Sequence, residues 1–341
     1  VQLSYTSTEI ISFTQYSDLF PKDVNEAKVL LRKLQKQWHP DHCNDSKAKD
    51  VFIKIMELYE LGPANIKYSG PTYTRGDGVE CTFKSVASCQ LSFATVYYTD
   101  KNAVLIQFND DSKFLIDHFK ENVQFIQSNI PSDKKDKYQH TVPRIYPIKD
   151  DDKLIIQMPD ADYVPLLFVQ KYIAKTKDYR LAFWIISRAF DISMVFNAYG
   201  NKVANGYIIP LCFINMKKHT MLDLSCYLLA AKDKLHALDD SQISFYSPVS
   251  LMNKVPDHAS DVALIKAFGL RLIGDSTGTG LALTENPPDA MLKFLCSISP
   301  DNKLGQYKRW QSEISKQSFG QIKFHDLVIP FNQLLNQYKG A

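Results

Sequence analysis

A proline set between two amphipathic helical patterns constrains this chain more than any other stretch. It lies in Trp38-His39-Pro40-Asp41-His42. Pro40 has no N–H to donate and its ring clashes with the preceding turn, so a helix running into it must stop. Upstream, Asp23-Val24-Asn25-Glu26 offers an N-cap and an acidic first turn. Val24, Ala27, Leu31, Leu34 and Trp38 then recur at three- and four-residue steps and draw one apolar stripe. Lys28, Arg32, Lys33 and Lys36 fall on the other side as a basic face. Downstream, Asn44-Asp45-Ser46 can cap a second helix with the stripe Ala48, Phe52, Ile55 and Tyr59, closed by Gly62-Pro63. Two such helices on a short connection pack as an antiparallel hairpin. Tyr16, Leu19 and Phe20 can plug its open end, and His39 and Asp41 would sit on a tight, exposed bend.

Two polar side chains fixed on a bend suit recognition better than core packing. A metal site built from His39, His42 and Cys43 would lack the second ligand pair that a closed tetrahedral shell requires, so no metal is expected. The order of basic helix, His39-Pro40-Asp41, and a helix reading Phe52-x-x-Ile55-x-x-Leu58-Tyr59 resembles a J-domain, the module of DnaJ-type co-chaperones. The resemblance implies that His39, Pro40 and Asp41, with Lys28, Arg32, Lys33 and Lys36, dock on a DnaK-type chaperone and stimulate its ATP hydrolysis. A cationic helix face favours an acidic partner and speeds encounter with it.

Glycines and prolines punctuate residues 63–78, which read as an irregular linker after a helical unit at 1–62. Beyond it, apolar or alternating runs at Val79–Val86, Phe93–Tyr98 and Ala103–Phe108 predict strands, the last two joined by the turn Thr99-Asp100-Lys101-Asn102. Phe114, Ile116, Phe119, Val123 and Ile126 predict a helix carrying Glu121. A second hairpin follows at Pro143–Ile148 and Lys153–Met158. After Pro165 the pattern turns helical, with a long apolar helix at Arg180–Tyr199. Short strands are expected at Tyr207–Ile209, Phe213–Asn215 and Met221–Leu224, and helices near Asp261–Ile273, Asp289–Ser297 and Leu304–Lys316. Strands first and helices after give an α+β class.

This order resembles a protein-kinase fold, with a β-rich small lobe at about 79–160 and a helical large lobe at about 161–341. Kinase chemistry needs a glycine-rich loop, a strand lysine paired to a helix glutamate, a catalytic aspartate and two metal ligands. Against that pattern, the loop Ala87-Ser88-Cys89-Gln90-Leu91-Ser92-Phe93-Ala94 contains no glycine. Gln107 stands where the lysine belongs, and Glu121 matches the glutamate. Asn205-Gly206-Tyr207 occupies the catalytic tripeptide, so Tyr207 replaces the aspartate. Cys212 replaces the metal-binding asparagine, and Asp223 alone keeps its metal-ligand identity. Asp261 matches a structural aspartate of a later helix. The ordered set Trp184-x-x-x-Arg188, Asn205-Gly206-Tyr207-Ile208-Ile209-Pro210, Leu222-Asp223, Tyr246-x-Pro248 and Phe319-Gly320-Gln321 resembles a bacterial and phage group of J-domain proteins with a degenerate kinase-like (pseudokinase) domain.

Phosphoryl transfer is positioning plus charge neutralisation. With one ligand left, no catalysis and no cofactor are expected, although a lysine such as Lys84 or Lys113 could in principle substitute. Asp223 also has a plain role open to it, stabilising a tight turn. Gly274-Asp275-Ser276-Thr277-Gly278-Thr279-Gly280 lacks the GKS/T ending of a phosphate loop and reads as an ordinary loop.

The totals limit the remaining classes. A net charge of +3 over 341 residues points to no polyanionic partner, so nucleic acid is not expected. Six scattered cysteines without a CxxC pair fit a reducing, cytoplasmic setting. No apolar run approaches the ~20 residues of a membrane span, and no signal-peptide pattern opens the chain. A start at Val1 implies processing or a piece of something longer. The expectation is a co-chaperone-like adaptor whose inert kinase-like domain, 79–341, holds a partner or client. The alternatives are a structural protein with a vestigial J-domain, and an atypical nucleotide-binding kinase.

Overall fold

The computed structural model describes residues 5–320, apart from 14–15, 22–23, 41–42, 44, 62–69, 100–101, 130–141, 161, 199–205, 216, 231–243, 284–285 and 299–301. Among its described residues the N-terminal unit holds four helices: α1 (Ser7–Ser12), α2 (Tyr16–Leu19), α3 (Val24–Gln37) and α4 (Ala48–Leu61). Helix α1 begins in a capping box: the Thr6 hydroxyl accepts from Glu9 N, and the Glu9 carboxylate accepts from Thr6 N at 2.7 Å. Those bonds hold the Glu9 carboxyl below its ordinary value. At the start of α4, Asp45 Oδ1 accepts from Lys47 N at 2.8 Å.

Helices α3 and α4 are antiparallel. Gln35 Nε2 donates to Met56 Sδ at 3.2 Å, while the His39 ring lies edge-on to Phe52 at 5.7 Å, so partners on α4 recede as α3 advances. Ala27, Leu34 and Trp38 meet Val51, Ile55 and Leu58 in one buried cluster with Ile10, Leu19 and Phe20. Of the stripe expected on α4, Ala48 and Ile55 are buried as expected, but Phe52 and Tyr59 give way to their neighbours. Val51 and Leu58 are buried, and Phe52 and Tyr59 sit at its edge. Phe20 reaches Tyr59 edge-on at 5.3 Å.

Residues 72–78 are not irregular, as the linker reading had them. Strand β1 (Thr72–Thr74) turns at Gly76-Asp77-Gly78 and pairs with β2 (Glu80–Thr82). Gly78 has φ +91°, which an L side chain rarely adopts. This hairpin covers one face of a five-stranded antiparallel sheet of β3 (Ala87–Gln90), β4 (Ala94–Tyr98), β5 (Ala103–Phe108), β6 (Arg144–Tyr146) and β7 (Lys153–Gln157). The order is β3-β4-β5-β7-β6. Phe83, Leu105 and Ile155 fill the space under the hairpin, with Tyr73 against them. The sheet's other face packs on α5 (Phe114–Asn129) through Val104, Ile106, Phe108, Leu115, Phe119 and Val123.

The chain then forms β8 (Tyr163–Pro165), α6 (Leu166–Thr176) and α7 (Tyr179–Ala198). Strand β8 joins β9 (Cys212–Asn215) and β10 (Thr220–Asp223) in a three-stranded sheet. Tyr207–Ile209 is no strand: Tyr207 has φ 68° and a 3-10 turn covers Ile209–Leu211. Helices α8 (Leu224–Leu229), α9 (Pro248–Asn253), α10 (His258–Leu272), α11 (Asp289–Cys296), α12 (Lys303–Arg309) and α13 (Ser315–Phe319) complete the described chain. The expected helix at 304–316 is interrupted by a π turn at Trp310–Ile314. That turn seats the fully buried Trp310 on Phe183, rings 4.4 Å apart and stacked, with Nε1 donating to Ser187 Oγ at 3.0 Å. The class is α+β. No described helix is long and apolar enough to cross a membrane.

Candidate functional site

Two places carry candidate residues, and they differ in what their side chains are free to do. At the bend after α3, Pro40 is exposed and His39 is half-buried, its ring held by Phe52 and its carbonyl accepting from Cys43 N at 2.9 Å. Arg32, Lys33 and Lys36 are exposed along α3. Lys28 lies on α3, but its side chain is outside the described residues, as are Asp41 and His42.

The second place is the turn from β10 into α8. Asp223 pairs with Cys212 across the β9–β10 ladder and then caps α8. Its Oδ1 accepts from Ser225 N at 2.8 Å, from Cys226 N at 3.3 Å and from the Ser225 hydroxyl. Its Oδ2 accepts from Tyr207 N at 2.7 Å and from Cys226 Sγ at 3.1 Å. The residue is fully buried. Burial pushes its carboxyl above the ordinary value against the pull of those bonds. Cys212 is equally buried and gives its thiol to the Ile208 carbonyl at 3.3 Å; burial first, then Asp223, drives both the Cys212 and Cys226 thiols well up. Tyr207 turns inward against Phe268, rings 5.9 Å apart, in the left-handed backbone region that its bond to Asp223 holds. Tyr207, Cys212 and Asp223 are therefore brought together, as three parts of a buried hydrogen-bonded turn. Asn205 lies outside the described residues.

Gln107 and Glu121 are not brought together. Side chains alternate along a strand, so Gln107 shares the face of Leu105, under the β1–β2 hairpin and away from α5. There its amide donates to Asp152 Oδ2 at 3.3 Å. Glu121 points outward, 77% exposed and 4.0 Å from His118. The positions on the α5 face of β5 are Val104, Ile106 and Phe108, all buried. Lys113 pairs with Asp110 at 3.1 Å and Asp151 at 3.6 Å, and Lys84 is exposed on the segment after β2.

Three residues that the sequence reading passed over connect these layers. Asn122, buried on α5, donates to the Tyr227 carbonyl at 2.8 Å and the Ala230 carbonyl at 3.0 Å, and His118 Nε2 lies 3.0 Å from the same Ala230 oxygen. Tyr98, fully buried on β4, gives its hydroxyl to the Pro210 carbonyl at 2.7 Å and sits against Phe168 and Phe213. An aromatic ring thus fills the space between the five-stranded sheet and the 207–213 segment. An inward polar residue on a helix that also carries an outward glutamate was the available sequence signal for Asn122.

Asp261, also fully buried, pairs with Lys303 and ties α10 to α12. The Arg188 guanidinium lies 5.9 Å over the Trp184 ring and pairs with Asp191 at 2.8 Å. In the 274–280 loop Asp275 accepts from Thr277 N, Thr277 Oγ1, Gly278 N and Gly280 N, so the loop's amides close on its own carboxylate.

No protein-family model matches the chain, and no curated protein does. Among solved structures, the BubR1 kinase domain aligns over 92% of this chain and 99% of its own, with a TM-score of 0.48 and 14% identity.

Proposed function

We propose that this protein is a J-domain-type co-chaperone adaptor: the N-terminal hairpin engages a DnaK-type chaperone, and a catalytically inert, kinase-like domain holds a partner or client. The observation that carries the reading is an asymmetry in what side chains are free to do. Arg32, Lys33, Lys36 and Pro40 are exposed on and beside the bend, while Tyr207, Cys212 and Asp223 are buried, Tyr207 bonded to Asp223 and Cys212 to the Ile208 carbonyl. Asp223 already accepts from five protein donors on its two oxygens, about as many as a carboxylate's lone pairs serve, which argues against its also ligating a hard cation such as Mg²⁺.

The kinase-like reading is supported by the order of three strands, a helix and two strands, and by a capped turn at Asp223 facing the Tyr207 segment. Inertness is supported by the outward Glu121 and by Gln107, which turns to Asp152 instead, so neither position supplies the cation–carboxylate pair that nucleotide chemistry uses. The test is the ATPase rate of a DnaK-type chaperone with the full chain and with His39→Gln. The reading expects stimulation by the first and none by the second. Equal, unstimulated rates overturn it.

A further inference from the structure

We propose that the open edge of β3, at Ser88 and Gln90, takes up an extended peptide segment as an added strand. The segment is held through its backbone and carries apolar residues at alternate positions. The inference rests on the reading that the larger domain holds a partner or client, and it names where and by what chemistry.

Strand β3 ends the five-stranded sheet, and its phase in the ladder fixes which backbone groups face outward. Leu91 N donates to the Ala94 carbonyl at 2.8 Å and the register pairs Cys89 with Val96, so bonding to β4 falls on residues 87, 89 and 91. Strand β4 agrees from its other side. Thr99 N donates to the Ala103 carbonyl and Asn109 N to the Phe93 carbonyl, so Thr95 and Tyr97 bond to β5, and Ala94, Val96 and Tyr98 are left for β3. Ser88 and Gln90 therefore each direct one N–H and one C=O away from the sheet. Both residues are exposed, and among the described residues no strand pairs with that edge. The Gln90 side chain is folded back, Oε1 accepting from the Thr95 hydroxyl at 2.6 Å and Nε2 donating to the Leu91 carbonyl at 3.1 Å, so it is held along its own strand.

Natural sheets guard such edges with charge, proline, bulges or a covering element. From Val86 to Ser92 there is no charge and no proline. A bulge at Val86-Ala87, both opposite Tyr98, closes only the start of the strand. The opposite edge strand, β6, differs: it carries the exposed Arg144 and leads to the β1–β2 hairpin, where Lys149 N donates to the Thr74 carbonyl at 2.9 Å. Side chains supply the second half of the argument. Ala87, Cys89 and Leu91 stand half-buried against the main core, on the sheet face that packs on α5. A strand laid beside them extends that core, which calls for an apolar residue at every second position of the incoming segment. A second copy of this chain fits the edge less well. A strand of four residues buries far less than the ~1,200 Å² that a specific interface between folded bodies takes, whereas an extended peptide needs only the edge and the apolar row.

The experiment follows the fluorescence anisotropy of a labelled peptide of alternating valine and threonine, with a lysine at each end, as this chain is added. It is repeated with the same peptide N-methylated along its backbone, and with Ser88→Pro. The Ser88 N–H takes no part in the β3–β4 ladder, so Ser88→Pro should keep a urea midpoint near wild type while removing an outward donor. Wild type should bind saturably, and Ser88→Pro and N-methylation should each weaken binding about tenfold. No binding of the plain peptide, or equal binding of the N-methylated one, overturns the inference. The second comparison leaves the protein unaltered, so it decides even where Ser88→Pro fails to fold. Concentration-dependent dimers that Ser88→Pro abolishes would replace the peptide with a second copy. Stimulation of a DnaK-type chaperone is read in parallel. Stimulation without peptide binding sinks this inference alone, and peptide binding without stimulation sinks the co-chaperone reading alone.

Discussion

Asp223 carries the account at the scale of one residue. The kinase resemblance reads it as a former metal ligand, while its surroundings make it a structural acceptor for Tyr207, Ser225 and Cys226. Replacing it with alanine leaves several buried donors unpaired, so Asp223→Ala should lose about 3 kcal/mol of stability in urea unfolding. A residue kept for metal binding would show little loss. Tyr98 makes a graded test of the filled space. Tyr98→Phe deletes only the bond to the Pro210 carbonyl and should cost about 1 kcal/mol. Tyr98→Ala opens a cavity and should cost about 4 kcal/mol. Chemical unfolding of the pair separates the hydrogen bond from the packing.

Elements show which parts of the fold were legible in the sequence and which were not. Strands β4, β5 and β7 and helices α5, α7 and α10 stand where their apolar patterns put them, because long runs with clear periods leave little choice. Strand β1 was hidden by glycines that in fact make its turn, and β8 is too short to show a period. Strand β5 was legible in extent but not in facing. Ala103-Val104-Leu105-Ile106-Gln107-Phe108 is nearly continuous in apolar character, since both its faces are covered, and a run without alternation does not say which side Gln107 takes. Motif matching therefore set Gln107 against Glu121, and the pleat separates them. The partial miss on α4, where Val51 and Leu58 replace Phe52 and Tyr59, has a similar origin: Val51, Phe52, Ile55, Leu58 and Tyr59 make a stripe wide enough to hide its centre.

The 274–280 loop gives a prediction at this same scale. Burial pushes the Asp275 carboxyl up, but bonds from Thr277, Gly280 and Gly278 outweigh it and leave it below the ordinary value. A carboxyl lowered in the folded state adds stability above its unfolded pKa of about 3.9 and loses it as pH falls through the lower folded value. The stability gap between wild type and Asp275→Asn should therefore be widest at neutral pH and narrow below about pH 4. Urea midpoints across that range measure it. Asp223, raised by burial, works in the opposite sense: its cost is present at neutral pH and shrinks as pH falls through its folded value.

For the whole molecule, the proposed function is a division of labour between an exposed bend and a larger domain whose candidate site is closed. Ligand binding to the native state must raise its stability, so ATP with magnesium should leave the melting temperature unchanged. A saturable rise would mean that the space around Tyr98 admits a nucleotide. The most direct measurement is the steady-state ATPase rate of a DnaK-type chaperone with increasing concentrations of this chain. The account predicts that the rate rises and saturates with wild type and stays at its basal value with His39→Gln, which should retain wild-type helicity. A rate that wild type leaves at the basal value, or that both raise equally, would contradict it.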